Sequence, residues 1–143
     1  MKVLLDTNVY FGILHDAVFR DRHRDRLRRL APRTWLSSVV RLELLQGARG
    51  ELGRAAVNRA TRTLERVRRV VAPTHEDWVL AGKTQGRLWD ESPALRTKRW
   101  QNDILIACSA RRIGAIVVTF NLADFEAIAK VLPHVAMSLD DVA

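Results

Sequence analysis

Four acidic residues stand where a folded chain would not place them for stability. Asp6 closes the apolar run Val3-Leu4-Leu5, and Glu43 interrupts Val39-Val40-Arg41-Leu42-Glu43-Leu44-Leu45. Asp103 opens Asp103-Ile104-Leu105-Ile106-Ala107, and Asp124 follows Ile116-Val117-Val118-Thr119-Phe120 by way of Asn121. Carboxylates are rarely buried unless they are paired or bind a metal. Two of them about 5 Å apart repel by roughly 3 kcal/mol at an effective dielectric of about 20. If these segments pack together, the acids share one cleft, and a divalent cation with a preference for oxygen ligands is the natural neutralising partner.

Competing chemistries lack their residues. His15, His23, His75 and His134 are scattered without zinc spacing, and no glycine-rich phosphate loop is present. The single cysteine, Cys108, lies in Ile106-Ala107-Cys108-Ser109-Ala110 and reads as a small core residue with no activating neighbour. Asp6-Thr7-Asn8-Val9 is faintly similar to the strand-end nucleophile of haloacid-dehalogenase-type phosphatases. Those enzymes need a second aspartate two residues on, where this chain has Asn8.

Outside the four acids the chain is basic. It has 143 residues, a length suited to a single domain spanning 1–143, and a net charge of +8. The cations are mainly arginines, crowded into 20–29, 49–69 and 96–99. A planar guanidinium matches two phosphate oxygens at once, although any one cluster also suits a solvated helix face. An acidic metal pocket in a basic protein points to hydrolysis of a polyanion. No apolar run approaches the roughly 18 residues of a membrane span. Together with the lone cysteine, this makes a cytoplasmic protein with no membrane association the expectation.

Hydrophobic patterning supplies the elements that must position the acids. Strands are predicted at Met1–Leu5, Thr34–Leu36, Arg69–Ala72, Ala115–Phe120 and Val135–Ser138, with Asp6-Thr7-Asn8 as a turn after the first. Helices are predicted to begin near Val9 and to cover Asp21–Leu30, Leu52–Arg68 and Leu122–Leu132. A further helix is capped by Ser37 or Ser38 and runs through Gln46 to Gly47. Another opens on the capping box Thr74-His75-Glu76-Asp77 and runs to about Trp89, and one starts at or near Asn102 and ends at Gly114. Asp90–Gln101 reads as a charged loop. Apolar strands alternating with helices define an α/β fold: three α/β/α layers around a central, mainly parallel sheet.

Ligands of open α/β sheets bind beyond the carboxyl ends of the strands. Asp6, Asn121 and Asp124 would therefore share one edge of the sheet. At 100° per residue Glu43 projects between Val39 and Val40, toward the protein rather than water. Asp103 shares a face with Ala107 and Ala110, which let its helix approach the sheet closely. Taken singly, each acid has an ordinary reading: a strand-end turn for Asp6, a salt bridge for Glu43, a helix-terminus charge for Asp103.

Taken in order, Asp6-Thr7-Asn8, Glu43-Leu44-Leu45-Gln46-Gly47, Asn102-Asp103-Ile104-Leu105-Ile106-Ala107 and Thr119-Phe120-Asn121-Leu122-Ala123-Asp124-Phe125 resemble a PIN domain. The set looks most like the VapC-type toxins of bacterial toxin–antitoxin pairs, over essentially the whole chain. The resemblance implies a Rossmann-like fold and an Mg²⁺- or Mn²⁺-dependent ribonuclease. Asp6, Glu43 and Asp103 would form its acidic metal site. Asn121 stands where many relatives carry aspartate, so either its carbonyl oxygen or the charge of Asp124 completes the set. Asn8 and Thr119 would orient the carboxylates. A catalytically weak, RNA-binding PIN module is the alternative that the Asn121 departure leaves open. The resemblance also implies an RNA substrate, a homodimer and a cognate VapB-type antitoxin that covers the cleft. Some of Trp35, Trp78, Trp89 and Trp100 would lie in that contact if they are not core residues.

Overall fold

The computed structural model describes residues 1–143. Five strands form one wholly parallel sheet: β1 (Lys2–Leu5), β2 (Thr34–Ser37), β3 (Val70–Val71), β4 (Ala115–Val118) and β5 (Val135–Met137), in the order β3-β2-β1-β4-β5. Seven α-helices accompany them: α1 (Thr7–His15), α2 (Ala17–Leu30), α3 (Ser38–Gly47), α4 (Gly50–Arg66), α5 (His75–Glu91), α6 (Gln101–Ile113) and α7 (Leu122–Ala129). The layered α/β architecture expected from the alternation of strands and helices is the one observed.

The sheet is parallel because its middle strands are apolar on both faces and every connection carries a helix. Val3, Leu4, Val117 and Val118 have no exposed surface. The register pairs Leu5 with Val118 and Leu4 with Trp35, which brings β1 and β4 to the same carboxyl-terminal edge. The chain leaves β1 on one side for β2 and β3, then returns to β1's other side for β4 and β5. This reversal puts the topological switch point between β1 and β4, where such sheets open a crevice.

Helix α6 explains how an acid is delivered there. Ile104–Ala110 are all buried, so the helix is apolar all round and runs through the interior. Its end is fixed by Gly114 at φ +67, in the left-handed region where a side chain is strained. Asp103 thereby sits in the first turn of a helix that cannot slide without disturbing the core.

Several boundaries differ from the sequence expectation. Asp6-Thr7-Asn8 is the start of α1 rather than a free turn: the Asp6 carboxylate accepts from Thr7 N at 2.8 Å and caps the helix. Helix α2 begins at Ala17, four residues before Asp21, because Asp16 caps it through Phe19 N. Strand β4 ends at Val118, although Thr119 N still reaches Met137 O at 3.0 Å; Phe120 turns out toward solvent. The 90–101 segment is more ordered than a loop: α5 extends to Glu91, and Pro93–Thr97 make a 3₁₀ turn. Helix α7 stops at Ala129, three residues short of Leu132. No helix is long and apolar enough to cross a membrane.

Candidate metal and phosphodiester site

Asp6 extends from the end of β1, which is locked in register with β4: Asp6 N donates to Val118 O at 2.9 Å. Its side chain is 5% exposed and is held from three directions. Thr7 N donates to Oδ1 at 2.8 Å, while Thr119 Oγ1 donates to Oδ2 at 2.7 Å and Asn8 Nδ2 approaches Oδ2 at 3.4 Å. Burial raises the Asp6 pKa, and the Thr119 and Thr7 hydrogen bonds oppose that rise.

Glu43 reaches the same place from α3. Its helix begins at Ser37, whose hydroxyl accepts from Val39 N and Val40 N. Two turns later Glu43 points inward, half-buried, and Thr7 Oγ1 donates to its Oε1 at 2.8 Å. Thr7 thus ties Glu43 to the residue that Asp6 caps. Burial raises the Glu43 pKa and Asp6 adds repulsion, with Thr7 and Asn102 opposing both.

Asp103 completes the convergence. Burial first, and then the charges of Asp6, Glu43 and Asp124, push its pKa up to about 7, with Lys98 pulling the other way. A carboxyl group displaced this far is unusual outside functional sites. Asp124 lies in the first turn of α7. It accepts from Asn121 Nδ2 at 2.7 Å and forms an ion pair with Lys98 Nζ. Asn121 spends its amide nitrogen on Asp124, and its backbone N donates to Thr119 Oγ1 at 2.9 Å.

Hydrogen bonds link Asp6 to Glu43 through Thr7 and to Asn121 and Asp124 through Thr119, while Asp103 is near enough to feel the charges of Asp6, Glu43 and Asp124. Thr7, Lys98 and Asn102 join them and were not singled out. Lys98 belonged to the basic 96–99 cluster, but its pairing with Asp124 spans 26 positions and leaves no local pattern. Thr7 carried a weak signal, a hydroxyl immediately after a candidate ligand. Of the four tryptophans, Trp100 is core at 2% exposure and Trp78 is open at 51%.

The site opens into a cleft of about 790 Å³, lined by Glu43, Asp103, Asn102, Trp89 and the cations Arg96, Lys98 and Arg99. Its lining holds acidic and basic side chains together. The donor set is entirely oxygen, which suits Mg²⁺ and Mn²⁺, and burial raises the pKa of Asp6, Glu43 and Asp103. No three acidic, histidine or cysteine side chains are gathered tightly enough to enclose an ion.

A parallel sheet with acidic side chains at its switch point and cations along the adjoining cleft defines an α/β protein with an acidic candidate site. A family profile goes further: the PIN domain profile matches residues 3–131, and the chain belongs to the PIN domain family. PIN domains are nucleases that generally use divalent metals. The fold is similar to that of the DNA-bound VapBC of Salmonella typhimurium, at a TM-score of 0.72 and 23% identity over 97% of this chain and 98% of that one. It is also similar to VapBC-1 of nontypeable Haemophilus influenzae, with a TM-score of 0.66, 22% identity, and 99% and 100% of the two chains covered. FitAcB of Neisseria gonorrhoeae gives a TM-score of 0.71 at 17% identity over 98% of this chain and 99% of that one. No curated protein sequence matches the chain significantly.

Proposed function

We propose that this PIN domain is a divalent-cation-dependent endoribonuclease acting as the toxin of a VapBC-type pair. The observation that carries the reading is geometric: Asp6 is buried at the end of β1 and held by Thr7 N, Thr119 Oγ1 and Asn8 Nδ2, and Thr7 Oγ1 also holds Glu43. Asp6, Glu43, Asp103 and Asp124 would hold one or two Mg²⁺ or Mn²⁺ ions. A bound ion would acidify an attacking water and steady the charge on the phosphate and leaving oxygen.

The chain's own residues do the remaining work. Thr119, Thr7 and Asn8 fix the Asp6 carboxylate, and Thr7 fixes Glu43, so two ligands from distant segments keep one relative orientation. Asn121 orients Asp124 from a position where relatives supply a further acid. Arg96 and Arg99 line the cleft and bind backbone phosphates. Single-stranded or looped RNA fits better than a duplex, because its sugars and bases are accessible.

Structural similarity to VapBC complexes supports a VapB-type partner, whose segment would cover this cleft. The ion pair of Lys98 with Asp124 favours one second reading, an RNA-binding module whose acid cluster is already partly neutralised. Incubation of total cellular RNA with the protein, followed by end mapping, separates the two. Defined cuts in Mg²⁺ that vanish in EDTA and in Asp6→Asn support the nuclease. RNA binding with no cuts in either metal supports the module.

A further inference from the structure

A smaller cavity of about 340 Å³ is walled by Phe19, His23, Phe120, Arg22, Asp140 and Asn8, whose Nδ2 also approaches the Asp6 carboxylate. Its size is at the lower end of small-molecule sites. Three rings meet there. Phe19 stands edge-on to Phe120 with centroids 5.7 Å apart, lies 4.5 Å from His23, and His23 is 6.3 Å from Phe120. Phe120 remains 46% exposed although its neighbours Thr119 and Asn121 belong to the acid site.

The exposed ring is rigidly presented. Phe120 N donates to Asn8 Oδ1 at 3.2 Å, and Asn8 Nδ2 approaches both Asp6 Oδ2 and Thr119 Oγ1. One carboxamide therefore couples the position of the ring to the position of the carboxylate. Gly12 makes room for the platform: a Cβ there would fall 2.7 Å from the Phe19 ring. The polar groups around the rings are complementary to the edge of a base. Arg22 offers donors, and Asp140, which lies 3.7 Å from His23 Nδ1, offers acceptors.

We propose that this cavity is a nucleobase subsite: it stacks one base of the RNA on Phe120, next to the phosphate held at the acid cluster. The inference rests on the nuclease reading and specifies how the strand is seated. Aromatic faces stack any base, while Asp140 accepts from the amino groups of cytosine, adenine or guanine and finds none on uracil. Continuity with the acid site through Asn8, and the net charge of +8, favour a nucleic-acid occupant over an apolar side chain of a partner protein.

The test uses full-length protein in an Asp103→Asn background, which spares the Asp6–Asn8–Thr119 network and keeps the probe uncut. Fluorescein-labelled single-stranded oligocytidylate and oligouridylate are titrated in Mg²⁺ and followed by anisotropy. Phe120→Ala should weaken oligocytidylate binding about five- to a hundredfold without changing the salt slope, because stacking releases no counterions. Phe120→Trp should retain affinity, and Asp140→Asn should narrow the preference for oligocytidylate over oligouridylate. Unchanged affinity in a Phe120→Ala protein that melts like its parent overturns the subsite and leaves the nuclease reading standing. The same holds if that variant keeps RNA affinity but loses a co-expressed antitoxin, which would assign the cavity to the protein partner. If RNA binds to neither variant nor parent, and the wild-type protein cuts no RNA in Mg²⁺, both readings fall together.

Discussion

Asp6 and Asp103 bear the same functional group a few side chains apart, yet the fold treats them in opposite ways. Asp6 is almost fully buried and is met by a backbone N–H, a threonine hydroxyl and a carboxamide. Asp103 is only half-buried; burial first, and then three neighbouring acids, raise its pKa, and Lys98 opposes them. The first carboxylate is positioned by the protein. The second is left short of a partner. Burial raises the pKa of both; at Asp6 the hydrogen bonds from Thr119 and Thr7 oppose the rise, whereas at Asp103 the neighbouring acids add to it. A rigid anchor beside an undercompensated group is the arrangement expected where a mobile cation, rather than a fixed side chain, supplies the missing charge.

The largest expected effect is on catalysis, and it should be equal for both acids despite their different environments. Asp6→Asn and Asp103→Asn should each lower kcat about a thousandfold, a barrier increase of several kcal/mol. Single-turnover cleavage of a defined RNA measures it. Retention of a tenth of the activity by either variant would take that residue out of the metal site.

Next in size is the loss of an orienting group, which should affect only the anchored side. Thr119→Val removes the hydroxyl that Asp6 and Asn121 N share, and should lower activity about ten- to a hundredfold while raising the Mg²⁺ concentration required. Thr7→Val removes the donor to Glu43 and should act in the same direction with a smaller effect. A Thr119→Val enzyme with an unaltered Mg²⁺ dependence would mean that Asp6 needs no such support.

The comparison also makes a stability prediction with a definite sign. The folded Asp103 pKa of about 7 lies above the ordinary value of 3.8, so the native state binds this proton more tightly than the unfolded chain does. Its contribution therefore does no harm below about pH 4. The contribution turns unfavourable as pH rises toward 7, and levels off above that. Asp103→Asn removes the penalty. In EDTA the variant should match wild type near pH 4 and exceed it at pH 8 by on the order of 2 kcal/mol, a figure reduced for the half-exposed side chain. Saturating Mg²⁺ should shrink the gap, because the ion stabilises only the chain that binds it well. Denaturant melts across pH, with and without Mg²⁺, test both statements. The active-site acid is in this sense retained at the expense of stability.

This contrast between positioned and undercompensated acids was only half legible in the sequence. Asp6, Glu43 and Asp103 stood out because each breaks an apolar pattern whose period is local, two in strands and 3.6 in helices. The parallel sheet followed from the same patterns, and Gly114 and Thr74-His75-Glu76-Asp77 marked helix ends by backbone chemistry that is also local. The cap formed by Asp6 was missed because an aspartate after a strand signals a turn and a helix start equally well. The segment 90–101 looked like a loop because its order comes from elsewhere: Trp100 Nε1 donates to Leu95 O from a side chain buried under the helices. Lys98 was legible as a charge and illegible as a partner. Its pairing with Asp124 depends on how α6 and α7 pack, which is a property of the folded chain alone.

Lys98 gives the smallest and most discriminating prediction. Its ammonium lies over the neighbouring Trp100, with Nζ 4.7 Å from the ring centroid, and its charge falls on Asp124 and, at longer range, on Asp103. Lys98→Met keeps most of the stem and removes the charge. The Asp103 pKa should then rise further above 7, because one attraction is lost while all three repulsions remain. At subsaturating Mg²⁺, where a proton on metal-free Asp103 competes with the ion, the rising pH limb of cleavage would shift to the alkaline side by up to about one unit, given the half-exposed position of Lys98. At pH 9 the variant should approach wild-type activity, since Asp103 is ionised in both. If the limb stays in place and activity falls equally at every pH, Lys98 acts on the RNA rather than on the acids. The undercompensated state of Asp103 would then be set by burial and its acidic neighbours alone.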